Sequence, residues 1–333
     1  MFRYILKRLL YAIPVFLGIT FVIYTLINLA PGGPLSVLAA SGEMSLSDLE
    51  ALKISMGLDK PIVIRYFIWL GDLLHGDFGI SYRTSQEVSL MISQRIMPSL
   101  MLTGTGILAA MLVGVPLGII SAYKPNSVWD HISTFISFIG ASVPNFFLSL
   151  LLIYVLAVKL KWFPTSGMQS SGMSGNLLDL LHHLALPAFV CGIQPIGNYI
   201  KQTRSSVLEV LNEEYIKTAR SKGLSERKVI YEHALPNAML PIISVLSGQL
   251  ANQLGGALVI EQVFSIPGIG LYLINAVNTR DYPVAQSSVV FLSILFSLIV
   301  LLTDLGYAAV DPIIRAQFVQ GGTKKKKRKE ENG

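Results

Sequence analysis

Apolar and polar positions along the chain fall into long blocks rather than into the short alternations of a soluble fold. Six apolar stretches stand out, at about 9–30, 99–122, 132–158, 184–200, 237–260 and 287–308. Roughly 20 apolar residues in a helix span a bilayer core, so most of these stretches predict a membrane-crossing helix. The first begins after Arg3, Lys7 and Arg8 and has the outline of a secretion signal, but its apolar run is too long for one and predicts a retained helix, with a bend at Pro14. The fourth is the weakest. It is short, carries Gln194 and Asn198, and is expected to break at Pro187 and Pro195. Adjacent His182 and His183 before it are expected in a loop near a membrane interface. The organisation that follows is a first transmembrane helix (1–30), an extracytoplasmic segment (31–97), a five-helix core (98–310) that includes a polar loop at 205–236, and a basic tail (311–333). The fold class is an all-α polytopic membrane protein with six transmembrane helices.

Composition supports this reading. Hydrophobic residues make up 52% of the chain and charged residues 14%, against about a quarter charged in an average soluble domain. Placing both termini in the cytoplasm puts eighteen of the 26 basic residues on the inner side, as the positive-inside rule requires. Lys159 and Lys161, on a short outer loop, run against the trend. In the segment 31–97, PGGP (31–34) ends the first helix, and Ser47 is placed to cap a short helix with Leu49, Leu52 and Met56 at helical spacing. Tyr66, Phe67, Trp69 and Phe78 are available for a small packed cap. A unit of that size is marginal alone and is expected to lean on the protein's own helices or on a partner.

The most polar interior stretch is Leu211 to Pro236, LNEEYIKTARSKGLSERKVIYEHALP. It predicts two short helices around a bend. Glu213 and Glu214 occupy the first turn, where carboxylates favour the helix dipole. Leu211, Tyr215 and Ala219 recur at i, i+4, i+8 as one narrow apolar stripe. Gly223 ends the first helix, Ser225 caps the second, and the second runs to a break before Pro236. Charge and stripe suit two roles equally: docking on a protein groove, or lying on a membrane surface.

Spacing within this stretch resembles the EAA motif of permease subunits in ATP-driven (ABC-type) importers: Glu-Ala-Ala, three residues, Gly, nine residues, Ile, one residue, Leu-Pro. Ala219, Gly223, Leu235 and Pro236 fall in register, while Lys217, Thr218 and His233 depart from it. The form YIKTARSKGLSERKVIYEHALPNAMLP resembles the oligopeptide/dipeptide/nickel branch. GLDKPIVIRYFIWLGDLLHGDFGISY, SVPNFF, FPTSG, EQVFSIPGIGLYLINAVNTRDYPVAQ and DLGYAAVDPIIR extend the resemblance over nearly the full length. The family often has PGDP where this chain has PGGP. The resemblance implies that the loop is a cytoplasmic coupling helix fitting a groove on an ATPase subunit, with Glu214, Tyr215, Ala219, Gly223, Leu224, Leu235 and Pro236 as the coupling residues. Implied partners are a second homologous permease, cytoplasmic ABC ATPase subunits and an external substrate-binding protein, in a bacterial or archaeal cell membrane. The implied cargo is di- or oligopeptides, with nickel, glutathione and oligosaccharides as alternatives within the class.

Catalytic and nucleotide motifs are missing from the sequence. There is no G-x-x-x-x-G-K-[S/T], G-x-S-x-G, H-E-x-x-H or C-x-x-C, so the expectation is a non-catalytic subunit without cofactor or metal, whose ATP is bound by partners. Cys191 stands alone and forms no disulfide within the chain. Gln249, Asn252 and Gln253 lie at i, i+3, i+4 and line one face of the fifth span with amides. They serve either a peptide path, since amides answer backbone donors and acceptors, or interhelical contacts beside Ser247, Gly248, Gly255 and Gly256. Asp304 near the inner end of the last span is expected to be structural. The tail KKKKRK (Lys324 to Lys329) meets anionic lipid at about 1 kcal/mol per basic residue or is simply solvated; no nucleic-acid partner is expected. An ion-coupled secondary transporter is the rival class. It would need ionisable pairs at the midplane, which the proline-bearing fourth span does not have.

Overall fold

The computed structural model describes residues 2–29, 46–55, 57–173 and 175–310. PGGP and the KKKKRK tail lie outside these residues, as do Met56 and the last five residues of DLGYAAVDPIIR. The described chain is helical, with one isolated β-bridge between Ile80 and Glu87. In chain order the helices are α1 (Phe2–Leu29), α2 (Leu46–Ser55), α3 (Ile62–Leu74), α4 (Val88–Tyr123), α5 (Val128–Ser142) and α6 (Asn145–Leu152). Then follow α7 (Leu177–Leu211), α8 (Glu214–Ser221), α9 (Glu226–Lys228), α10 (Leu235–Phe264), α11 (Ile269–Asn278) and α12 (Tyr282–Val310). Two wider π-helical turns continue α6 (Ile153–Lys159) and link α9 to α10 (Val229–Ala234).

Among the described residues three helices are long and apolar enough to cross a membrane: Val88–Tyr123, Leu177–Leu211 and Tyr282–Leu302. The number rises to five if each of two bent helix pairs is one span. Ile13–Leu29 is a shorter apolar helix. Several sequence expectations change here. The fourth stretch is one continuous 35-residue helix with Pro187 and Pro195 inside it, because packed neighbours tolerate the backbone groups that proline leaves unbonded. His182 and His183 accordingly sit on the first turns of α7 and not in a loop. The third stretch is not one straight rod: α5 and the α6 run meet at 105°. Val143 is extended (φ −89°, ψ 121°), the conformation that Pro144 imposes on its predecessor. The second helix starts eleven residues earlier than hydropathy suggests, since Gln94 and Arg95 lower the apolar signal without disturbing helical geometry. Ser47 lies inside α2.

The chain forms two compact units. One is built on Leu100–Ile266, the other on Lys7–Ser99 with Pro267–Ser297. In the first, α7 is the central rod, and glycines let other helices reach its backbone. On α4 the small residues Gly106, Ala110, Gly114, Gly118 and Ala122 repeat every four positions. A Cβ at Gly114 would come within 2.8 Å of the Tyr199 Cβ, and one at Gly118 within 2.6 Å of the Thr203 Cβ. Gly192 on α7 faces the Gly106 carbonyl oxygen, which a Cβ would approach to 2.7 Å. On the other side of α7, Gly140 of α5 lies against the Ile193 carbonyl, and Gly197 against that of Ser137. Small residues at four-residue spacing are how membrane helices come close when lipid is as apolar as leucine.

The second unit packs through aromatic rings. Tyr66 on α3 is buried between Phe21 and Tyr24 of α1 and Trp69, with centroids 5.1, 5.7 and 6.0 Å away. Its hydroxyl meets Thr20 Oγ1 at 2.9 Å. Phe78 stacks on Phe291 at 5.0 Å. Phe67 meets the Tyr66 ring edge-on at 5.3 Å but is 62% exposed. The polar segment thus leans on α1 and α12.

Candidate functional site

α7 ends at Asn212, and Glu213 (φ −68°, ψ 147°) restarts the chain as the N-cap of α8. Leu211 and Tyr215 therefore belong to different helices, and the expected i, i+4, i+8 stripe does not form one face. The buried face of α8 is Ile216 with Ala219, while Tyr215 stays 43% exposed. The register is one residue off because the break after Leu211 resets the helical phase. Ile216 and Ala219 join Val207 and Leu211 of α7 and Val229, Ile230 and Ala234 of the π-turn in one core, with Leu224 packed against it.

Gly223 closes α8 at φ +79°, its N–H donating to the Arg220 carbonyl at 2.9 Å. That left-handed conformation is cheap only for glycine, and a Cβ there would meet nothing of this chain within 4 Å. Across the bend, Arg220 grips Glu226 with both ends of its fork, Nε–Oε1 at 2.8 Å and Nη2–Oε2 at 3.3 Å. Lys217 pairs with Glu214 at 2.7 Å. Glu214 is 88% exposed, so this pair is worth little in energy. Ser225 takes the N-cap position of α9 but makes no capping hydrogen bond with its side chain. No break precedes Pro236. The π-turn runs straight into α10, and its wider ring makes room for the proline that would clash in a regular α-turn. Asn237 donates to the Tyr215 hydroxyl at 2.9 Å, which ties α8 to the start of α10.

Behind this segment stands a cluster that sequence reasoning missed. Asp130, at the start of α5, is buried and accepts two bonds from Arg204 of α7, Nε–Oδ1 at 2.9 Å and Nη2–Oδ2 at 3.1 Å. Ser121 of α4 also donates to it, as does the Asn126 N–H at 2.9 Å. Three helix ends meet on one carboxylate. Asp130 and Arg204 lie 74 positions apart, and only the fold brings them together. A second polar cluster pins the 163–170 loop to α7: Ser170 donates to Asp179 at 2.7 Å through both N–H and Oγ, and His183 reaches Ser170, Ser166 and Gly167 at 3.2 Å. Ser, His and Asp are all present, and with the serine hydroxyl donating directly to the aspartate the cluster holds a loop in place.

Gln253 is buried and donates Nε2 to the Cys191 carbonyl of α7 at 2.6 Å. Gln249 and Asn252 share its helix, α10, and their side chains lie outside the described ones. Asp304 is on α12 with the same restriction. Gly248 and Gly255 face open space in this chain, and the close helix approaches are made by the α4, α5 and α7 glycines instead.

Residues 114–316 match the family model for the binding-protein-dependent transport system inner membrane component, and residues 1–103 match that family's N-terminal model. The oligopeptide transport system permease protein AppB of Bacillus subtilis is 39% identical over 315 residues, covering 94% of this chain and 99% of AppB. The dipeptide transport system permease protein DppB of Escherichia coli K12 is 37% identical over 336 residues, covering 95% and 99%. Among solved structures, an inward-facing form of the MetNI methionine ABC transporter matches with a TM-score of 0.54 at 16% identity, over 67% of this chain and 97% of that one. An amino acid ABC transporter matches with a TM-score of 0.52 at 13% identity, over 66% and 94%. The chain belongs to the binding-protein-dependent transport system inner membrane components, the permease subunits of ABC transporters, which form the membrane passage and are not catalytic.

Proposed function

We propose that this permease imports di- or oligopeptides, and that Glu213–Pro236 is the cytoplasmic segment through which ATPase subunits drive it. The observation that carries the coupling assignment is the division of faces on α8. Ile216 and Ala219 are consumed by the protein's own core, so no apolar stripe remains for lipid, whereas the charged face and the Gly223 bend stay open. Such a segment is preformed for a protein groove. It also connects α7 to α10, which pack on each other and share the Gln253–Cys191 bond. A push on α8 therefore reaches both helices at once.

In this reading six spans cross the membrane: α1, α4, α5 with α6, α7, α10 and α12. Both termini are cytoplasmic. Of the three stretches this topology places outside, 46–97 and 267–286 fall in one compact unit and 160–176 in the other. Partners are a second permease, cytoplasmic ABC ATPases and an external binding protein. ATP binding closes the ATPase pair, the docked segment moves with it, and the populations of inward- and outward-open states shift by the difference in affinity between them. The peptide cargo rests on the names of AppB and DppB. Gln249 and Asn252 are proposed to line the path, while Gln253, buried against the Cys191 carbonyl, takes the interhelical role.

Gly223→Val tests the coupling assignment. A non-glycine residue in the left-handed region costs about 1–2 kcal/mol, and its side chain would stand in the docking groove. The expected protein is inserted and folded, yet peptide uptake collapses and ATP hydrolysis no longer responds to loaded binding protein. Glu226→Ala, which removes only an exposed pair, should keep most of the uptake. Normal uptake by a purified Gly223→Val complex would return the segment to a surface helix.

A further inference from the structure

Within the unit built on Lys7–Ser99 and Pro267–Ser297 lies a cleft of about 1210 Å³. The end of α1, one side of α3, the loop after it and the start of α12 line it. Arg65 projects from α3 into this cleft, half-buried. Its Nη2 donates to Asn28 Oδ1 at 2.5 Å, and Asn28 Nδ2 donates in turn to the Tyr24 carbonyl at 2.8 Å. The guanidinium is thus oriented from behind by a side chain that is itself fixed. Among the described residues no carboxylate lies within ion-pair distance of Arg65, whose guanidinium also hydrogen-bonds the Tyr24 side chain.

A positioned guanidinium with five donors and no carboxylate partner among the described residues suits a planar anion, and the fork fits a carboxylate through two parallel bonds. The rest of the lining narrows the choice. Asp72, Asp77 and Glu87 outnumber the two cations of the cleft, Arg65 and Lys60, which disfavours a polyanion and suits a ligand that also carries an ammonium group. Trp69, half-buried at the cleft, offers an apolar face that grips side chains without selecting one. Burial, and then the Asp281 carboxylate, push the Tyr82 phenol up to about 12, so it stays neutral and adds no competing charge. Small-ligand pockets run to about 1,000 Å³, so the volume admits a short peptide with its ends free.

We infer that Arg65, oriented by Asn28, is a recognition site for the C-terminal carboxylate of the peptide cargo, in a cleft whose acidic side receives the amino terminus. This rests on the peptide-import reading above. The permease would then check for two free ends before passage, independently of the binding protein.

The test uses the whole transporter in proteoliposomes, with its binding protein and ATP, and compares uptake of trialanine with that of its C-terminal amide. In Arg65→Gln, trialanine uptake at sub-saturating concentration should fall about tenfold while amide uptake changes by less than about twofold. Any preference of the binding protein is common to wild type and variant, so it cancels in the acid-to-amide ratio. Asn28→Ala should lower the same ratio by a smaller factor. If Arg65→Gln does not assemble, Arg65→Lys, which keeps the charge and loses the fork, should still lower the ratio. An importing complex whose ratio does not change in these variants overturns the inference alone. A wild-type complex that imports neither peptide overturns the peptide reading and this inference with it.

Discussion

The two units hold their helices together by opposite means. In the unit built on Leu100–Ile266, backbones touch: Gly114 and Gly118 of α4, Gly140 of α5, and Gly192 and Gly197 of α7 leave no room for a methyl group. In the unit of Lys7–Ser99 and Pro267–Ser297, the rings of Phe21, Tyr24, Tyr66 and Trp69 stand between helices as spacers. Backbone contact fixes a distance and an angle, so a displacement of α7 carries α4 and α5 with it. Ring contact fills space less completely, and a large cleft opens beside it. Rigid transmission and ligand access ask for different packing, and the proposed roles of the two units match the kind each one uses.

The largest effect should come from breaking a backbone contact. Gly140→Leu would drive a side chain into the Ile193 carbonyl, and neither helix can retreat because Gly197 presses on Ser137 one turn away. No assembled permease is expected in a detergent-extracted, size-exclusion-purified preparation. The counterpart is Gly71→Ala on α3, where a Cβ meets nothing within 4 Å. Alanine favours a helix interior by up to about 1 kcal/mol over glycine, so this variant should be as stable as wild type or slightly more so. Comparable yields for the two variants would show that close approach does not hold the first unit together.

Next in size is the carboxylate on which three helix ends converge. Asp130→Asn keeps the shape but removes the charge that Arg204 faces, and it leaves an amide where the carboxylate took donors from Arg204, Ser121 and Asn126. A charge-assisted hydrogen bond contributes about 1.5–3 kcal/mol. The expectation is a thermal midpoint lowered by several degrees with insertion intact. Arg204→Met should match it if the pair acts as a unit. An additive loss in the double variant, equal to the sum of the two singles, would mean that the two side chains do not act through each other.

How much of this was visible beforehand follows from the reach of each signal. Apolar block length is local, and it located the helices well, though not that α5 and α6 bend at Pro144 or that α7 runs unbroken through Pro187 and Pro195. Those outcomes depend on neighbours that the sequence does not place. The bend at Gly223 was legible because one residue decides it. The apolar face of α8 was misplaced by one position, to Tyr215 in place of Ile216, because the expected stripe ran through a helix break that Asn212 introduces. The small-residue repeat from Gly106 to Ala122 was present in the sequence at a spacing of four, and a search for small residues at that spacing would have found it. Asp130 with Arg204, and Arg65 with Asn28, carried no such signal: each pair is joined by the fold alone.

The smallest effect tests whether rings or hydrogen bonds hold the second unit. Tyr66 does both. Its hydroxyl meets Thr20 Oγ1 at 2.9 Å and the Leu17 carbonyl at 3.2 Å. Thr20 also bonds the Phe16 carbonyl at 2.9 Å, so it keeps a partner when the phenol is removed. Tyr66→Phe therefore leaves no stranded donor and should cost about 0.5–1 kcal/mol. Tyr66→Ala removes the ring between α1 and α3 and should cost about 3 kcal/mol or more, as large-to-small core changes do. Thermal midpoints of the two variants, measured in the same detergent, give the comparison directly. If the phenylalanine variant falls as far as the alanine one, the hydroxyl network and not ring packing is what joins α3 to α1. The contrast between a backbone-packed and a ring-packed unit would then be lost.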